Sequence, residues 1–145
     1  MKRIEKKYVV SREILNHILI NAKVFKEHPT RKINSIYFDT NNFKDYRDNF
    51  EGTVPRKKVR VRFYGESKIP KIYELNDYYF EIKKTYYSSR KKKSIHFRSN
   101  LDNLSRLINE TSYFKSKRFP KTFVTYNRDY YRTKHNIRIT VDKNI

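Results

Sequence analysis

The chain reads as an α+β domain, an antiparallel β-sheet with helices along its flanks. Three observations predict this. Segments that alternate apolar and charged residues recur from end to end, the period-two signature of half-buried strands. Two other segments carry apolar residues at helical spacing. The links between successive strands are short, which suits antiparallel neighbours. The 145 residues fit one domain, residues 1–145. Thirteen Tyr and ten Phe supply much of its apolar surface, and both residue types favour strands.

Taken in order, "RIEKKYVV" (3–10) reads as a short strand. Ser11 is placed to cap a helix running to about residue 26, with Ile14, Leu15, Ile18, Leu19, Ala22 and Phe25 on one stripe. "HPT" ends that helix at Pro29. "INSIYFDT" (33–40) is a strand whose residues from Ser35 to Asp39 have a structural look, and "NNFKDYRDNF" is a loop or a single helical turn. After the turn "EGTVP" come the strands "KKVRVRFYG" (57–65) and "DYYFEIKKTYY" (77–87). "KKKSIHF" (91–97) is set to pair with the latter across "SSR". "NLDNLSRLINE" (100–110) is a second short helix, with Leu101, Leu104, Leu107 and Ile108 on one side. "KTFVTYNRDYYR" (121–132) and "NIRITVD" (136–142) close the series as two strands joined near "TKHN". The expected order is β-α-β-β-β-β-α-β-β. The chain stops just beyond a good strand, so a fragment is expected.

Charge is the first functional signal. Thirty-five Lys and Arg against fifteen Asp and Glu give +20. Such a field attracts polyanions without choosing among them. The absence of cysteine excludes disulfides, thiol catalysis and Cys-ligated zinc. Two glycines, Gly52 and Gly65, cannot build a Walker loop or a dinucleotide fingerprint. A bound phosphate chain must therefore be held by side chains. The four His are scattered without ligand spacing, and no local Ser-His-Asp signature is present. The start of the chain is not a signal peptide, and no run of about 18 apolar residues is present. The expected location is cytoplasmic.

The polar faces of the strands carry the argument further. Glu5 and Lys7 share one face of the first strand. In "KVRVRFYG", Arg60 and Arg62 stand opposite Val59, Val61 and Phe63. Glu81 and Lys83 oppose Phe80 and Ile82; Tyr126 and Arg128 share a face; Arg138, Thr140 and Asp142 oppose Ile137, Ile139 and Val141. A sheet with one solvated face explains any one of these strands. Arginine at alternate positions across several strands asks for more, since its planar fork suits phosphate oxygens. If the sheet curls so that these faces converge, it forms a basic tunnel. A carboxylate within it either pairs with a neighbouring cation or holds a divalent metal that bridges to phosphate.

At this point the residues resemble a known family. "RIEKKYVV", "SIYFDT", "YRDNFEGTVPRKKVRVRFYG", "FEIKK" and "IRITVDKNI", in that order, are similar to the VTC domain, the polyphosphate polymerase domain of vacuolar transporter chaperone complexes, within the triphosphate tunnel metalloenzymes. The resemblance implies an antiparallel β-barrel enclosing a tunnel, and an NTP, usually ATP, bound by its triphosphate with Mn²⁺ or Mg²⁺. It implies transfer of the terminal phosphoryl group to a growing polyphosphate chain, and membrane-associated partner subunits at a cytosolic face. Carried over by position, Arg60, Arg62, Lys83 and Arg128 fall to the catalytic set. Lys7, Lys92, Tyr126 and Arg138 fall to substrate binding, and Glu5, Glu81 and Asp142 to the metal.

Two departures qualify the match. The wider superfamily carries Glu-x-Glu-x-Lys in its first strand, and here Arg3 replaces one carboxylate. That favours the polymerase branch over hydrolases. The family's C-terminal Glu-x-Lys strand and helices do not follow "RITVDKNI". A non-catalytic polyphosphate-binding domain, a tunnel triphosphatase and a nucleic-acid-binding protein are the competing readings. The last has no RNP motif, helix-turn-helix or zinc finger behind it.

Overall fold

Local chemistry sets each element before packing does. Ser11 accepts the amide of Ile14 through its side chain and starts α1, Arg12–Asn21. Lys23 ends it: its φ of 48° is left-handed, and its amide bonds the carbonyl of Ile20. The computed structural model describes residues 5–65, 75–98 and 116–145. Its further elements are β1 (Val24–Asp39), α2 (Lys44–Phe50), β2 (Arg56–Tyr64), β3 (Tyr78–Thr85), β4 (Arg90–Phe97), β5 (Phe119–Thr133) and β6 (Arg138–Lys143). They give the α+β class expected, with the strands ordered β4-β3-β2-β1-β5-β6 in one antiparallel sheet.

Several local expectations change. Residues 5–10 form no strand and are exposed. The first helix stops at Asn21, short of residue 26, and β1 begins at Val24. Pro29 lies inside β1 instead of ending a helix. The register explains why it is tolerated. β2 meets β1 only over Ile33 to Phe38, so Pro29's missing N–H interrupts no bond of that ladder. The sheet is not closed into a barrel: β4 and β6 stand at opposite ends of the strand order. Closure needs the two edges to meet, and residues 5–10 add no strand to either. The helix expected over 100–110 lies outside the described residues. "KDYRDNF", expected as a loop or single turn, is a seven-residue helix. The β3–β4 hairpin across Ser88 and Ser89 and the β5–β6 hairpin through Asn136 form as the sequence predicts.

The chain divides into two compact units, residues 1–30 with 128–141, and residues 31–127 with 142–145. In the first, β1 and β5 are tied by side chains. Thr30 Oγ1 donates to Asp129 at 2.5 Å, Arg132 Nε donates to Glu27 at 2.7 Å, and His28 meets Tyr130 edge-on.

The second unit holds the apolar core. Ile36 and Phe38 from β1, Val59, Val61 and Phe63 from β2, and Tyr78, Phe80 and Ile82 from β3 are all buried, with Leu75 beside them. Each contributes about 1.5–3 kcal/mol of burial. Phe63 stacks on Phe123, and Tyr78 on Phe97. Buried Asn34 is satisfied on this face by the carbonyl of Gly65 and the hydroxyl of Thr125. Asp39 organises the start of α2, its carboxylate accepting the amides of Thr40, Asp45 and Tyr46 at 2.7–2.9 Å. Asp45 in turn receives Arg118 through two bonds of 2.8 and 3.1 Å, and both residues are buried.

Candidate functional site

The register decides which side chains meet on the face opposite that core. β2 and β3 pair so that Arg60 lies across from Glu81, Arg62 from Tyr79 and Lys58 from Lys83. β4 then places Ser94 beside Glu81, Lys92 beside Lys83 and His96 beside Tyr79. On the other side of β2, Tyr37 opposes Arg60 and Ser35 opposes Arg62. Strand alternation puts all of these on one face. Three rungs cross this face. One carries Tyr37, Arg60, Glu81 and Ser94, and its neighbours carry Ser35, Arg62, Tyr79 and His96 on one side and Lys58, Lys83 and Lys92 on the other.

Glu81 is the centre of charge. Its side chain is buried, and one oxygen accepts Arg60 Nε at 2.7 Å and Nη2 at 2.6 Å. Lys92 Nζ lies 2.5 Å from the other oxygen, and Arg62 Nε lies 3.9 Å from the first. Arg60 also donates to the Tyr37 hydroxyl at 3.2 Å. Burial alone pushes the Glu81 carboxyl up. Lys92, Arg60 and Arg62 outweigh burial and hold it below the usual Glu value. For Arg60, burial works against the charged form, and Glu81 and Tyr37 more than offset it.

The arginines of β2 are not the solvated face that alternation alone allows. Their side chains are only 23% exposed for Arg60 and 13% for Arg62. Among the described residues, the carboxylate that both arginines meet is Glu81. Lys58, Arg60, Arg62, Lys83 and Lys92 set five positive charges against it. Arg62 Nε and Ser35 Oγ, across from each other on β2 and β1, are buried with no hydrogen-bond partner. A buried polar group left so costs about 1–3 kcal/mol. Among the described residues the arrangement has more donors than acceptors.

Among the residues expected from sequence, Arg60, Arg62, Lys83, Lys92 and Glu81 come together here. Tyr126 lies half-buried in β5 of the same unit. Arg128 and Arg138 belong to the other unit, where Arg128 is half-buried and Arg138 Nε lies 3.9 Å from Glu27. Lys7 sits 3.7 Å from Glu5, and both are exposed on the irregular segment before α1. Asp142 is exposed at the end of β6. Tyr37 and Ser94 were not singled out by sequence. Their part depends on which strands are neighbours, and no local pattern reports that.

The three carboxylates considered for a metal do not form a cluster. Among the described residues no group of three or more His, Asp or Glu side chains is placed to hold an ion. Both oxygens of Glu81 are already engaged by cations. The donor set on the described face therefore does not fit a metal held by protein alone. Nor is any helix among the described residues long and apolar enough to cross a membrane.

No curated protein matches the chain. The family model described as the VTC domain matches residues 2–145. With the basic face built on the strands that carry its motifs, the chain belongs to the VTC domain family, which is associated with polyphosphate synthesis.

Proposed function

We propose that the face of β2, β3 and β4 binds the triphosphate of an NTP, ATP being the expected one, and presents its terminal phosphoryl group to a growing polyphosphate chain. The surplus of donors carries this reading: five cations around Glu81, with Arg62 Nε and Ser35 Oγ buried and unbonded. Phosphoryl transfer needs little covalent help from protein, and positioning with charge neutralisation does most of the work. In this reading Arg60 and Arg62 grip the phosphate oxygens, and Glu81 holds Arg60 at the correct angle until substrate arrives. Lys83 and Lys92 neutralise charge along the chain. Tyr126, in the same unit, extends the contacts. Mn²⁺ or Mg²⁺ belongs to the proposal as an ion that arrives with the triphosphate and is coordinated mainly by its oxygens. No step is assigned to it.

The test is titration calorimetry with tripolyphosphate, followed by incubation with ATP and Mn²⁺ and gel analysis for polymer. Binding that disappears in Arg60→Ala/Arg62→Ala supports the site. Binding that survives the double substitution removes it. Polymer formation separates the polymerase from a triphosphatase, which releases inorganic phosphate. One observation favours a second reading, a domain that binds polyphosphate without turnover: the one buried carboxylate on this face is wholly paired with cations. Tight tripolyphosphate binding with neither polymer nor phosphate produced selects that reading.

A further inference from the structure

The cationic face changes character at one end. Its positive charges run from the rung of Lys58, Lys83 and Lys92 through Arg60 to Arg62. At the Arg62 rung the cross-strand partners turn aromatic, Tyr79 on β3 and His96 on β4. Their rings stack with centroids 4.5 Å apart and planes 7° from parallel. Two residues further along β2, Tyr64 meets the Tyr79 ring edge-on at 6.0 Å. Tyr64 pairs with Ile33 on β1, so at this end of β1 and β2 a ring and an aliphatic side chain stand where the arginine rungs carry charge. The three rings and the two arginines belong to one unit.

These rings are not sealed into the core. Tyr64 is 46% exposed and the His96 side chain 35%. β4 ends the strand order, so among the described residues no further strand of the sheet lies beyond His96. Asp77 accepts a hydrogen bond from His96 Nε2 at 2.6 Å, which fixes the ring beside Tyr79. The Asp77 side chain is itself 73% exposed, and a carboxylate in that position repels phosphate. The lane suited to phosphate therefore ends at Arg62, and the part of a ligand that reaches past it is planar and uncharged. Aromatic pairs across strands also stabilise sheets. A pair serving only that purpose has no need to stand part-exposed at the end of a row of cations.

We propose that Tyr79 and His96, with Tyr64 beside them, form a stacking platform for the nucleobase of the NTP whose phosphates lie on Arg62 and Arg60. The inference rests on the phosphate-binding reading of this face and gives it a direction. The base lies against the rings, the first phosphate lies next to Arg62, and the terminal phosphate points toward Lys58, Lys83 and Lys92. Positions 58 and 62 of a strand are about 13 Å apart, so phosphates laid along β2 stay over cations for that length. The growing chain then meets the terminal phosphate at the lysine rung. Stacking is tolerant of base identity because every base has a π-face. The platform thus separates nucleotides from inorganic phosphate chains and does not choose among bases.

The experiment titrates ATP and tripolyphosphate against the wild-type chain and a Tyr79→Leu/His96→Gln variant. Leucine keeps apolar bulk and glutamine keeps a donor for Asp77, so the change removes the rings and little else. ATP affinity is expected to fall at least about fivefold, the low end of what one stacked base contributes, with tripolyphosphate affinity unchanged. A fluorescent aminopurine nucleoside triphosphate gives a second readout. Its emission should be quenched by stacking on wild type and quenched less on the variant. If the double variant is unfolded by circular dichroism, His96→Gln alone, at the end strand of the sheet, gives the same comparison. Unchanged ATP affinity overturns the proposal. An equal fall for tripolyphosphate also overturns it, because the rings then serve only to hold Arg62 in place. Failure of the phosphate-binding reading looks different. Wild type then ignores tripolyphosphate yet still binds ATP, and loses it in the variant.

Discussion

Replacing Glu81 by Gln tests the site at its centre. The substitution keeps the shape and removes the one negative charge among five cations. Arg60 makes two short bonds to a single Glu81 oxygen, and a hydrogen bond to a charged partner contributes about 1.5–3 kcal/mol net. Lys92 is half-exposed, so its ion pair adds no more than about 1 kcal/mol. Gln also turns an amide donor toward cations that are themselves donors. The expected loss is about 2–4 kcal/mol, below the range of about 3–5 for breaking a fully buried pair, because water reaches Lys92. For a chain of this size that lowers the melting temperature by roughly 4–16 °C.

The pH dependence has a definite sign. The folded Glu81 value lies below the unfolded one. Its contribution is therefore complete above the ordinary Glu value of about 4.3 and is lost as pH falls through the lower folded value. Urea curves of wild type and Glu81→Gln should differ at pH 7 and converge as pH is lowered below the ordinary Glu value. Glu27 titrates in the same direction but is common to both proteins, so the difference isolates Glu81. Saturating tripolyphosphate should shrink the gap, because phosphate replaces the missing acceptor. A difference under about 0.5 kcal/mol at pH 7, or one that does not narrow as pH is lowered, refutes the account of the cluster.

Three other outcomes are expected. Arg118→Leu leaves buried Asp45 without its partner and should cost about 3–5 kcal/mol in urea denaturation; a loss under 1 means water reaches the pair. Phe80→Ala opens a cavity in the centre of the core and should cost about 3–5 kcal/mol, read in the same assay. Lys23→Gly relieves a left-handed residue that ends α1 and should stabilise the fold by about 0.5–1 kcal/mol. A melting temperature that falls in this last variant contradicts the strained cap.

The sequence made the polar face of β2 legible because alternation is a local property. Val59, Val61 and Phe63 are buried, and Arg60 and Arg62 lie on the other side, as "KVRVRF" alone says. The β3–β4 and β5–β6 hairpins were legible for the same reason, each from a short turn between two patterned runs. What failed was context. "VFKEHPTRK" has the apolar spacing of a helix end and a proline that looks like a stop. Pairing of β1 overrode that local preference, and the proline interrupts no bond to β2, which does not extend that far. Residues 5–10 fail in the opposite direction. The alternation is present, but a strand needs a neighbour, and this segment stays exposed. The partners of Glu81 were the hardest to see. Whether a lone carboxylate serves a metal or a cation depends on the register of three strands, and the answer here is Arg60, Arg62 and Lys92.

Asp39 has one more consequence. Its carboxylate already occupies the amides at the start of α2, and the Ser11 hydroxyl does the same for α1. Neither of these helix starts is left with its full set of amides to offer a phosphate, and two glycines in 145 residues leave little to build a backbone cradle from. In the proposed function, recognition falls to long, rotatable stems tipped with charge. Such a grip counts charges more than it measures shape. For the growing chain of the proposed function, a different molecule after every addition, counting is the more useful faculty. A rigid cradle would fit one length, and a row of jointed cations can release one phosphate and take up the next without the fold having to change.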